Sequence, residues 1–402
     1  MVLPVVHVTQ KLTSQYFANG VRKVVIKEVK LYLSKVLVTG WSGYLGWPTT
    51  IRLLKLGHEV MGIDNNLREN LVSMSSSESA TPIDDEKTRK KFANKLGKFE
   101  YRRVEMTNYY DLHQTIESFE PDYIIHLAAQ PSAPYSMINN FSAYSVTQEN
   151  NNRSTMNLLW IMKGMKKKPV LIFASTMGVY GQPEYSIPFD GMMANNGKLE
   201  YPIPYMAGSF YHISKTVDEQ NIIFATKQWG LKSVIFRQGV VFGLWTNDTE
   251  LMESMTRFDF DTYFGTALNR FVAQAVIGQK MTLYGKGKQT RGFVTLEHCI
   301  QDLVSIIDRN NMQNLNPNQP EEGKPMIRNS VTDCFGLDKL VEAVMKVIPE
   351  AEFTHIENPR KEKEENDLVM EESPRPLDLQ KEISYLYSAL VPFREKIRKY
   401  YR

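Results

Sequence analysis

The amino-acid sequence predicts an α/β fold, a doubly wound parallel sheet followed by a smaller C-terminal lobe. Short apolar runs typical of buried strands alternate with helical segments from Lys35 onward. This alternation indicates a parallel sheet, because each crossover between parallel strands needs a helix. A glycine-rich turn follows the first strand and an aspartate ends the second, which places both at the edge where such sheets bind ligands.

The elements follow one another in a regular order. We predict strands at KVLVT (35–39), EVMGID (59–64), YRRVE (101–105), DYIIHLA (122–128), PVLIFA (169–174) and LKSVIFR (231–237). Predicted helices cover TTIRLLKLG (49–57), a basic stretch near 87–98, a long segment over 141–165 and a segment that begins near Ser209. Beyond Gly243 the pattern breaks into loops and shorter helices.

Composition excludes several classes of protein. The 402 residues are 42% hydrophobic and 23% charged, as in an average soluble protein. With 48 Lys and Arg against 45 Asp and Glu, the charge is too balanced to indicate nucleic acid or a membrane surface. Cys299 and Cys334 lack metal-ligand spacing, so we expect no metal and no disulfide, in a reducing cytoplasm. No apolar run approaches the roughly 18 residues of a membrane span, and the N-terminus does not read as a secretion signal.

The turn after the first strand reads GWSGYLG, with glycines at 40, 43 and 46. Such glycines let the backbone approach a diphosphate at a helix N-terminus, although the spacing GxxGxxG also occurs by chance. Asp64 ends the second strand, where a carboxylate binds adenosine ribose hydroxyls and repels a 2′-phosphate. The two features predict NAD rather than NADP. Arg68 nearby speaks against this choice, and Asp64 could instead be a simple turn residue.

SFYHISK (209–215) places Tyr211 and Lys215 four residues apart, on one face of a helix. A neighbouring ammonium favours the phenolate, so we expect a tyrosine pKa below its usual value of about 10. Such a tyrosine takes a hydroxyl proton while a nicotinamide accepts a hydride from the same carbon. Tyr284 and Lys288 repeat the spacing in a glycine-rich turn, so the pair alone is a weak signal. Context favours Tyr211, because Thr176 follows the preceding strand.

This ordered set of glycines, Asp64, Thr176, Tyr211 and Lys215 resembles the extended short-chain dehydrogenase/reductase family, whose members act on nucleotide sugars. The resemblance implies an NAD-binding Rossmann domain, with Tyr211 as base, Lys215 as its partner and Thr176 as a hydrogen-bonding third member. Longer motifs are similar to the branch that converts UDP-glucose and sulfite to a sulfonated UDP-sugar with bound NAD. They are QPSAPYSMI (130–138), STMGVYG (175–181), SFYHISK, RQGVVFG (237–243), FGTALNRF (264–271), LYGKGKQTRGFV (283–294) and ENPRKEKEE (357–365).

Met177 and Gly178 reduce the number of reactions that fit the sequence. The family's 4,6-dehydratases carry Asp-Glu directly after this threonine, whereas neither residue here can move a proton, which disfavours ordinary dehydration. The resemblance implies transient oxidation at C4, loss of water across C5 and C6, addition of sulfite at C6 and re-reduction at C4. Candidates for relaying the C5 and C6 protons are Tyr211, Thr176 and His212, and His212 could equally be a packed or surface residue.

The resemblance also implies the residues around both ligands. Predicted NAD contacts are Gly40, Gly43, Tyr44, Leu45, Gly46, Asp64, Asn65, Asn66, Arg68, Glu105, Met106, Leu127, Ala128, Ala129, Asn150, Tyr211, Lys215 and Gln238. Predicted UDP-sugar contacts are Gln130, Ser132, Tyr135, Thr176, Met177, Gly178, Asn269, Arg270, Tyr284, Arg291 and Arg360. Arg291 and Arg360 are expected to clamp the diphosphate, since guanidinium groups pair well with phosphate. Two positions depart from the pattern: Pro131 stands where plant members carry arginine, and Glu105 where aspartate is usual.

The sequence thus divides into three segments. Residues 1–34 are an N-terminal extension of unclear role, 35–243 the NAD-binding Rossmann domain, and 244–402 mainly a UDP-sugar-binding lobe. Two other functions fit the same residues: a UDP-glucose 4-epimerase, and a non-catalytic NAD-binding scaffold, against which the intact Tyr211–Lys215 pair argues. We expect a homodimer or larger homo-oligomer, as is common among relatives, and a product destined for a sulfolipid or a glycan.

Overall fold

A computed structural model describes residues 33–74, 76–138, 140–181, 207–249, 252–307, 320–357, 375 and 377–401, together with the backbone of six short strands outside these ranges. The strands are β1 (Val5–Val8), β2 (Thr13–Tyr16), β3 (Arg22–Val25), β4 (Val29–Tyr32), β5 (Lys35–Thr39), β6 (Glu59–Asp64), β7 (Phe99–Arg103), β8 (Tyr123–His126), β9 (Val170–Thr176), β10 (Met193–Asn195), β11 (Lys198–Glu200), β12 (Lys232–Gln238), β13 (Val240–Phe242), β14 (Met281–Tyr284), β15 (Thr290–Thr295), β16 (Met326–Ser330), β17 (Asp333–Gly336) and β18 (Phe353–Ile356).

The helices alternate with these strands. They are α1 (Gly46–Lys55), α2 (Leu67–Met74), α3 (Glu86–Leu96), α4 (Tyr109–Phe119), α5 (Ala133–Ser136), α6 (Phe141–Ser145), α7 (Asn151–Gly164), α8 (Phe210–Trp229), α9 (Ala267–Val276), α10 (Leu296–Ser305), α11 (Leu337–Val347), α12 (Leu379–Leu390) and α13 (Arg394–Tyr400). A π-helical turn over Val146–Asn150 joins α6 to α7, so the long helix expected over 141–165 is interrupted. Such turns occur often at functional sites.

The central sheet has seven parallel strands in the order β16-β12-β9-β8-β5-β6-β7. All six strands expected from the sequence are confirmed, with ends shifted by a few residues. The strand order reverses at β5, which has β6 on one side and β8 on the other. The crevice beside such a switch point is where these sheets bind ligands.

Strand β16 was not expected. Its sequence, MIRNS, lies in residues 244–402, which we interpret mainly as the smaller lobe, yet it pairs in parallel with β12 at the sheet edge. Polar side chains at Arg328 and Asn329 interrupt the apolar pattern: Arg328 is half-buried at the sheet edge, and Asn329 is buried, where its Oδ1 accepts a hydrogen bond from the Tyr180 hydroxyl at 2.9 Å. The chain therefore returns from the smaller lobe to the sheet.

Helices cover both faces of the central sheet. On one face α1, α3 and α10 pack into a core that includes Trp41, Trp47 and Phe99. On the other face α4, α7 and α8 pack into a second core around Phe173 and Leu158. This double layer of helices confirms the doubly wound fold.

The smaller lobe has its own apolar core. Helices α9, α11, α12 and α13 pack around Phe258, Phe260 and Phe271. Strands β13, β15 and β17 form a three-stranded sheet there, and β14 pairs with β18. Because β13 begins directly after β12, the lobe starts at the ligand-binding edge of the central sheet.

Three further features concern the described part of the chain. None of its helices is both long enough and apolar enough to cross a membrane. Its His, Cys, Asp and Glu side chains form no group of three that could hold a metal ion. Neither Cys299 nor Cys334, both within the described residues, is part of a disulfide.

Candidate active site

One cavity of about 730 Å³ runs along the carboxyl edge of the sheet and into the smaller lobe. Its walls come from the segments that follow β5, β6, β8, β9 and β12, and from residues of α9, β14 and β15. Volumes of this size are typical of sites that enclose small-molecule ligands. The cavity therefore brings together residues that are far apart in the sequence.

The glycine turn forms one end of the cavity. Gly40 has a positive φ of 72°, and a Cβ there would come within 2.9 Å of the backbone nitrogen of Ala128. A Cβ at Gly46 would overlap the carbonyl oxygen of Gly40, and the Gly43 amide donates to that oxygen at 3.1 Å. Since α1 begins at Gly46, this tight turn presents a helix N-terminus to the cavity, which fits a dinucleotide diphosphate.

Asp64 lies beside this turn, as the sequence predicts. Its Oδ2 accepts hydrogen bonds from the Ser42 amide at 3.1 Å and the Ser42 hydroxyl at 2.8 Å. Its Oδ1 accepts from the Asn66 amide at 2.9 Å. The carboxylate is thereby fixed at the cavity wall, in a position suited to ribose hydroxyls.

Two residues near the glycine turn differ from expectation. Arg89, which the sequence analysis missed, donates to the Ser42 carbonyl at 2.9 Å and lies over the Trp47 ring. Glu105 does not line the cavity: it is exposed and accepts a hydrogen bond from Asn65 Nδ2 at 2.7 Å. The expected contact between Glu105 and the cofactor stays a prediction. The other predicted NAD contacts line the cavity.

Helix α8 brings the predicted Tyr–Lys pair into the cavity. Ser209 caps the helix by accepting a hydrogen bond from the His212 amide at 3.2 Å. The Tyr211 amide donates to Ser136 Oγ at 3.1 Å, and Lys215 Nζ donates to the Ala174 carbonyl at 2.9 Å. These bonds fix the helix against α5 and β9 and hold both side chains at the cavity wall, as the sequence predicts.

The expected lowering of the Tyr211 pKa is wrong for this structure. Burial raises the pKa of Tyr211, the charge of Asp218 raises it further, and the charge of Arg68 lowers it. Burial also lowers the pKa of Lys215 to about 8 and raises that of Asp218 to about 7. Desolvation thus outweighs the neighbouring cation, because removing a phenolate from water disfavours its charge.

The backbone of Gly178 lies directly against the imidazole ring of His212. A Cβ at Gly178 would lie 2.7 Å from His212 Cγ and would overlap the rest of the imidazole edge. The ring is held by a 3.1 Å contact between its Nδ1 and Ser209 Oγ, and its centroid lies 5.2 Å from that of Tyr211. The imidazole therefore fills the space that a side chain at 178 would need, beside the predicted base.

Thr176 precedes this pair at the end of β9. Its Oγ1 accepts a hydrogen bond from the Gly178 amide at 3.1 Å, which begins the short 3₁₀ turn Met177–Tyr180. Met177 and Gly178 line the cavity together with Thr176. The three residues thus occupy the positions expected of substrate contacts.

A segment of the smaller lobe forms the opposite wall, and the sequence analysis did not single it out. The Asp259 carboxylate pairs with both Arg68, at 2.7 Å, and Arg257, at 3.0 Å. Arg68 also lies 4.1 Å from the centre of the Phe264 ring. At one end, Thr256 Oγ1 donates to the Tyr44 carbonyl at 2.7 Å. These contacts tie the smaller lobe to the glycine turn and to the segment after β6.

The far end of the cavity holds four of the predicted substrate residues, Asn269, Arg270, Tyr284 and Arg291. Arg270 Nη1 donates to the Tyr284 hydroxyl at 2.6 Å, and its guanidinium lies 4.8 Å from that ring centre. Asn269 Oδ1 accepts from the Gly243 amide at 2.9 Å. Arg291 lines the same end. This group offers the cations that a diphosphate requires.

Three predicted substrate contacts have other outcomes. Gln130 is buried behind the cavity wall, where its Nε2 donates to Thr147 Oγ1 at 2.8 Å. Tyr135 packs with its ring centroid 5.3 Å from that of Phe264 and does not line the cavity. The expected substrate contacts of Gln130 and Tyr135 stay predictions, whereas Ser132 between them does line the cavity. Arg360 lies outside the described residues.

Comparison with known proteins shows the family of the chain. A family model described as the NAD dependent epimerase/dehydratase family matches residues 36–316. The chain belongs to the NAD dependent epimerase/dehydratase family. The expected NAD cofactor is confirmed at the level of this family, and the glycine turn and Asp64 are the groups suited to hold it.

The chain is also similar to individual curated proteins. The chain is 35% identical to a chloroplastic UDP-sulfoquinovose synthase from Spinacia oleracea, over 83% of this chain and 69% of the relative. It is 32% identical to a UDP-sulfoquinovose synthase from Sulfolobus acidocaldarius, over 91% of this chain and 95% of the relative. The match covers both the sheet and the smaller lobe.

Solved structures share the fold at lower sequence identity. A UDP-glucuronic acid 4-epimerase from Bacillus cereus, in complex with UDP-glucuronic acid and NAD, matches with a TM-score of 0.63 at 21% identity, over 89% of this chain and 98% of that chain. A UDP-glucose 4-epimerase from Thermotoga maritima with UDP-glucose matches with a TM-score of 0.64 at 18% identity, over 90% and 99%. These likenesses establish the architecture alone.

Replacing Asp259 with Asn is expected to loosen the cofactor. The change removes the charge that holds Arg68 and Arg257 to the wall of the cavity, so NAD should dissociate at least about ten times faster, the lower end of what one charged hydrogen bond contributes. NAD released on denaturation of the purified protein, and its exchange with labelled NAD, measure the effect. Asp248→Asn is the matched control, since Asp248 pairs with Arg52 outside the cavity. Equal exchange rates in the two variants would contradict the expectation.

Proposed function

We propose that the chain is a UDP-sulfoquinovose synthase that converts UDP-glucose and sulfite to UDP-sulfoquinovose. The observation that carries this proposal is the pairing of Gly178 with His212 beside Tyr211. The chain lacks an acid–base pair directly after Thr176, and an imidazole fills that space instead. Identity to curated synthases of two distant organisms supports the same reading.

The first step is loss of the C4 hydroxyl proton to Tyr211. NAD, which the glycine turn and Asp64 would hold, would supply the acceptor for the C4 hydride and the hydride for the final reduction, so that it would not be consumed. Because burial raises the pKa of Tyr211, the phenol is protonated at rest and depends on nearby cations to act as a base. Lys215 and Arg68 are those cations, and Thr176 orients the hydroxyl.

The middle steps take place at C5 and C6. The ketone at C4 acidifies the C5 proton, which we assign to His212 Nε2 as general base. The same imidazolium then protonates the C6 hydroxyl, which leaves as water and gives a 5,6-alkene conjugated to the ketone. The sulfur lone pair of sulfite attacks C6, and C5 takes up a proton from His212, which has been protonated again by bisulfite or solvent. One C–O bond is broken and one C–S bond is formed, with one water released.

The smaller lobe binds the rest of the substrate. We assign the diphosphate to Arg270 and Arg291 and expect Tyr284 to orient Arg270. In this view residues 35–243 hold NAD and 244–402 mainly hold the UDP-sugar. The exceptions are α10 and β16, which belong to the central sheet and the helices packed on it. We also propose a cytoplasmic location, although the spinach relative is named chloroplastic.

One assay tests the proposal against a 4-epimerase, which needs the same Tyr211, Lys215 and Thr176. The purified protein is incubated with UDP-glucose and sulfite. The nucleotide sugars are then separated, and their masses are measured by mass spectrometry. A sulfonated UDP-hexose that forms only when sulfite is present supports the synthase. UDP-galactose as the sole product would establish the epimerase, and no turnover at all would point to a binding protein.

We further propose that the chain forms a homodimer through the outer face of α8. Phe210, Ile213, Val217 and Phe224 are all large apolar residues with 38–59% of their surface exposed. Their spacing of three, four and seven residues places them along one side of the helix. Trp160 on the neighbouring α7 is 49% exposed. A continuous exposed apolar surface of this kind is typical of protein interfaces.

Phe224→Glu is expected to convert the dimer to monomers. A charge in the middle of an apolar interface must be desolvated without a partner, which opposes association. Light scattering coupled to gel filtration measures the mass. Phe353→Glu, on β18 of the smaller lobe, adds the same charge at a similarly exposed phenylalanine and should leave the dimer intact. A monomeric wild type, or a variant that stays dimeric, would disprove this interface.

A further inference from the structure

A buried ion pair lies directly behind the catalytic residues. Arg237 Nη2 donates to Glu219 Oε2 at 2.6 Å, and Arg237 Nε lies 3.1 Å from both carboxylate oxygens. The two side chains are only 2% and 4% exposed. A buried ion pair is rarely more stable than packed apolar side chains, because both charges lose their hydration. Stability alone is therefore a poor reason for this pair.

The partners of the pair are neighbours of the active site. Ser175 Oγ donates to Glu219 Oε1, and Ser175 directly precedes Thr176. The Arg237 guanidinium lies 4.6 Å from the centre of the Tyr180 ring, the last residue of the turn that contains Met177 and Gly178. Arg237 and Ser175 are also paired in the sheet. The ion pair thus contacts the beginning and the end of the STMGVY segment.

The same carboxylate belongs to the catalytic helix. Tyr211, Lys215 and Glu219 follow one another at intervals of four residues in α8, so they lie on one face of it. Lys215 is bonded to the Ala174 carbonyl, one residue before Ser175. Two successive turns of α8 are therefore bonded to successive residues of β9. The rotation of α8 about its axis, and with it the direction of Tyr211, is set by these two bonds.

We propose that Glu219 and Arg237 are positioning residues that fix Tyr211 relative to Thr176 and the Met177–Tyr180 turn. The inference rests on the proposed function, in which Tyr211 and Thr176 act on the same C4 hydroxyl. Neither Glu219 nor Arg237 lines the cavity, so neither touches the substrate. Their effect is on geometry, to which proton and hydride transfer are sensitive at the level of about 1 Å.

Two variants separate positioning from stability. Glu219→Gln keeps the size of the side chain and an acceptor for Ser175 but removes the charge. The double variant Glu219→Leu/Arg237→Met removes both charges, so no buried charge is left unpaired and the chain should still fold. We expect kcat to fall at least about tenfold in both, with less than about threefold change in the KM for UDP-glucose and unchanged NAD content.

A control and a second readout complete the test. Glu297→Gln breaks an ion pair with Arg52 outside the cavity and should lower the melting temperature without changing kcat. The rate at which UDP-glucose alone reduces the bound nicotinamide should fall in parallel with kcat in both Glu219 variants. If the double variant recovers wild-type stability and kcat together, or if Glu219→Gln keeps full kcat, the inference is wrong. Absence of sulfonated product with the wild type would instead disprove the proposed function.

Discussion

Tyr211→Phe is expected to reduce kcat at least about a thousandfold, within the range that general acid–base catalysis provides. The change removes the one hydroxyl that can take the C4 proton and leaves the ring, which packs beside His212. The hydrogen bond from Lys215 Nζ to the Ala174 carbonyl, which holds α8 against β9, should be unchanged. The cavity should therefore keep its shape. NAD should remain bound at the wild-type ratio.

Formation of sulfonated UDP-hexose and release of NAD on denaturation measure the two halves of this expectation. Tyr385→Phe is the matched control, because Tyr385 is 54% exposed on α12 and does not line the cavity. Residual turnover within tenfold of the wild type would show that another group takes the C4 proton. Loss of NAD together with activity would show that the Tyr211 hydroxyl is needed to hold the cofactor, and would contradict the assignment of the lost turnover to proton transfer alone.

Gly178→Ala is expected to lower kcat about a hundredfold, as removal of a general acid–base residue does. The new methyl group would overlap the His212 imidazole, which must swing away from the cavity to make room. His212→Ala should cause a loss of the same size. Since both changes remove one function, Gly178→Ala/His212→Ala should be no worse than either single variant.

This double-mutant cycle decides whether His212 acts in the reaction. Formation rates of the sulfonated product are measured for all four proteins. Gly164→Ala is the control for added bulk at a glycine, because nothing lies within 4 Å of a Cβ there. Additive losses, or a His212→Ala variant with full activity, would show that the imidazole only packs beside the turn.

The sequence predicts the central strands of the fold because each strand is signalled by residues that are close together in the chain. The apolar runs of β5, β6, β8, β9 and β12 are buried strands, and their period is visible in the chain. Glycines at a strand end and a tyrosine four residues before a lysine are also local signals. They predict one end of the cavity and the position of the catalytic helix correctly.

The parts that the sequence analysis missed depend on contacts between distant residues. Asp259 pairs with Arg68, and Glu219 with Arg237, only after the chain has folded. The role of Gly178 becomes visible only when the imidazole of His212 is seen against it. The sequence shows these carboxylates and the glycine, but it does not say which distant residue each of them contacts.

The prediction of a lowered pKa for Tyr211 was wrong for a related reason. Helical spacing correctly places Lys215 on the same face, yet it says nothing about how much water the phenol loses. In the structure burial is the largest influence on the pKa of Tyr211 and raises it. The magnitude of desolvation is a property of the whole cavity, and spacing along one helix cannot supply it.

Turnover of UDP-glucose that carries deuterium at C4 tests the central claim most directly. With unlabelled sulfite and purified protein, the account predicts a sulfonated UDP-hexose that retains the deuterium at C4, because the hydride is removed and returned within one site. The sulfonate should be attached at C6, as seen by nuclear magnetic resonance. A product that has exchanged its C4 deuterium, or deuterated UDP-galactose without a sulfonated sugar, would contradict the account.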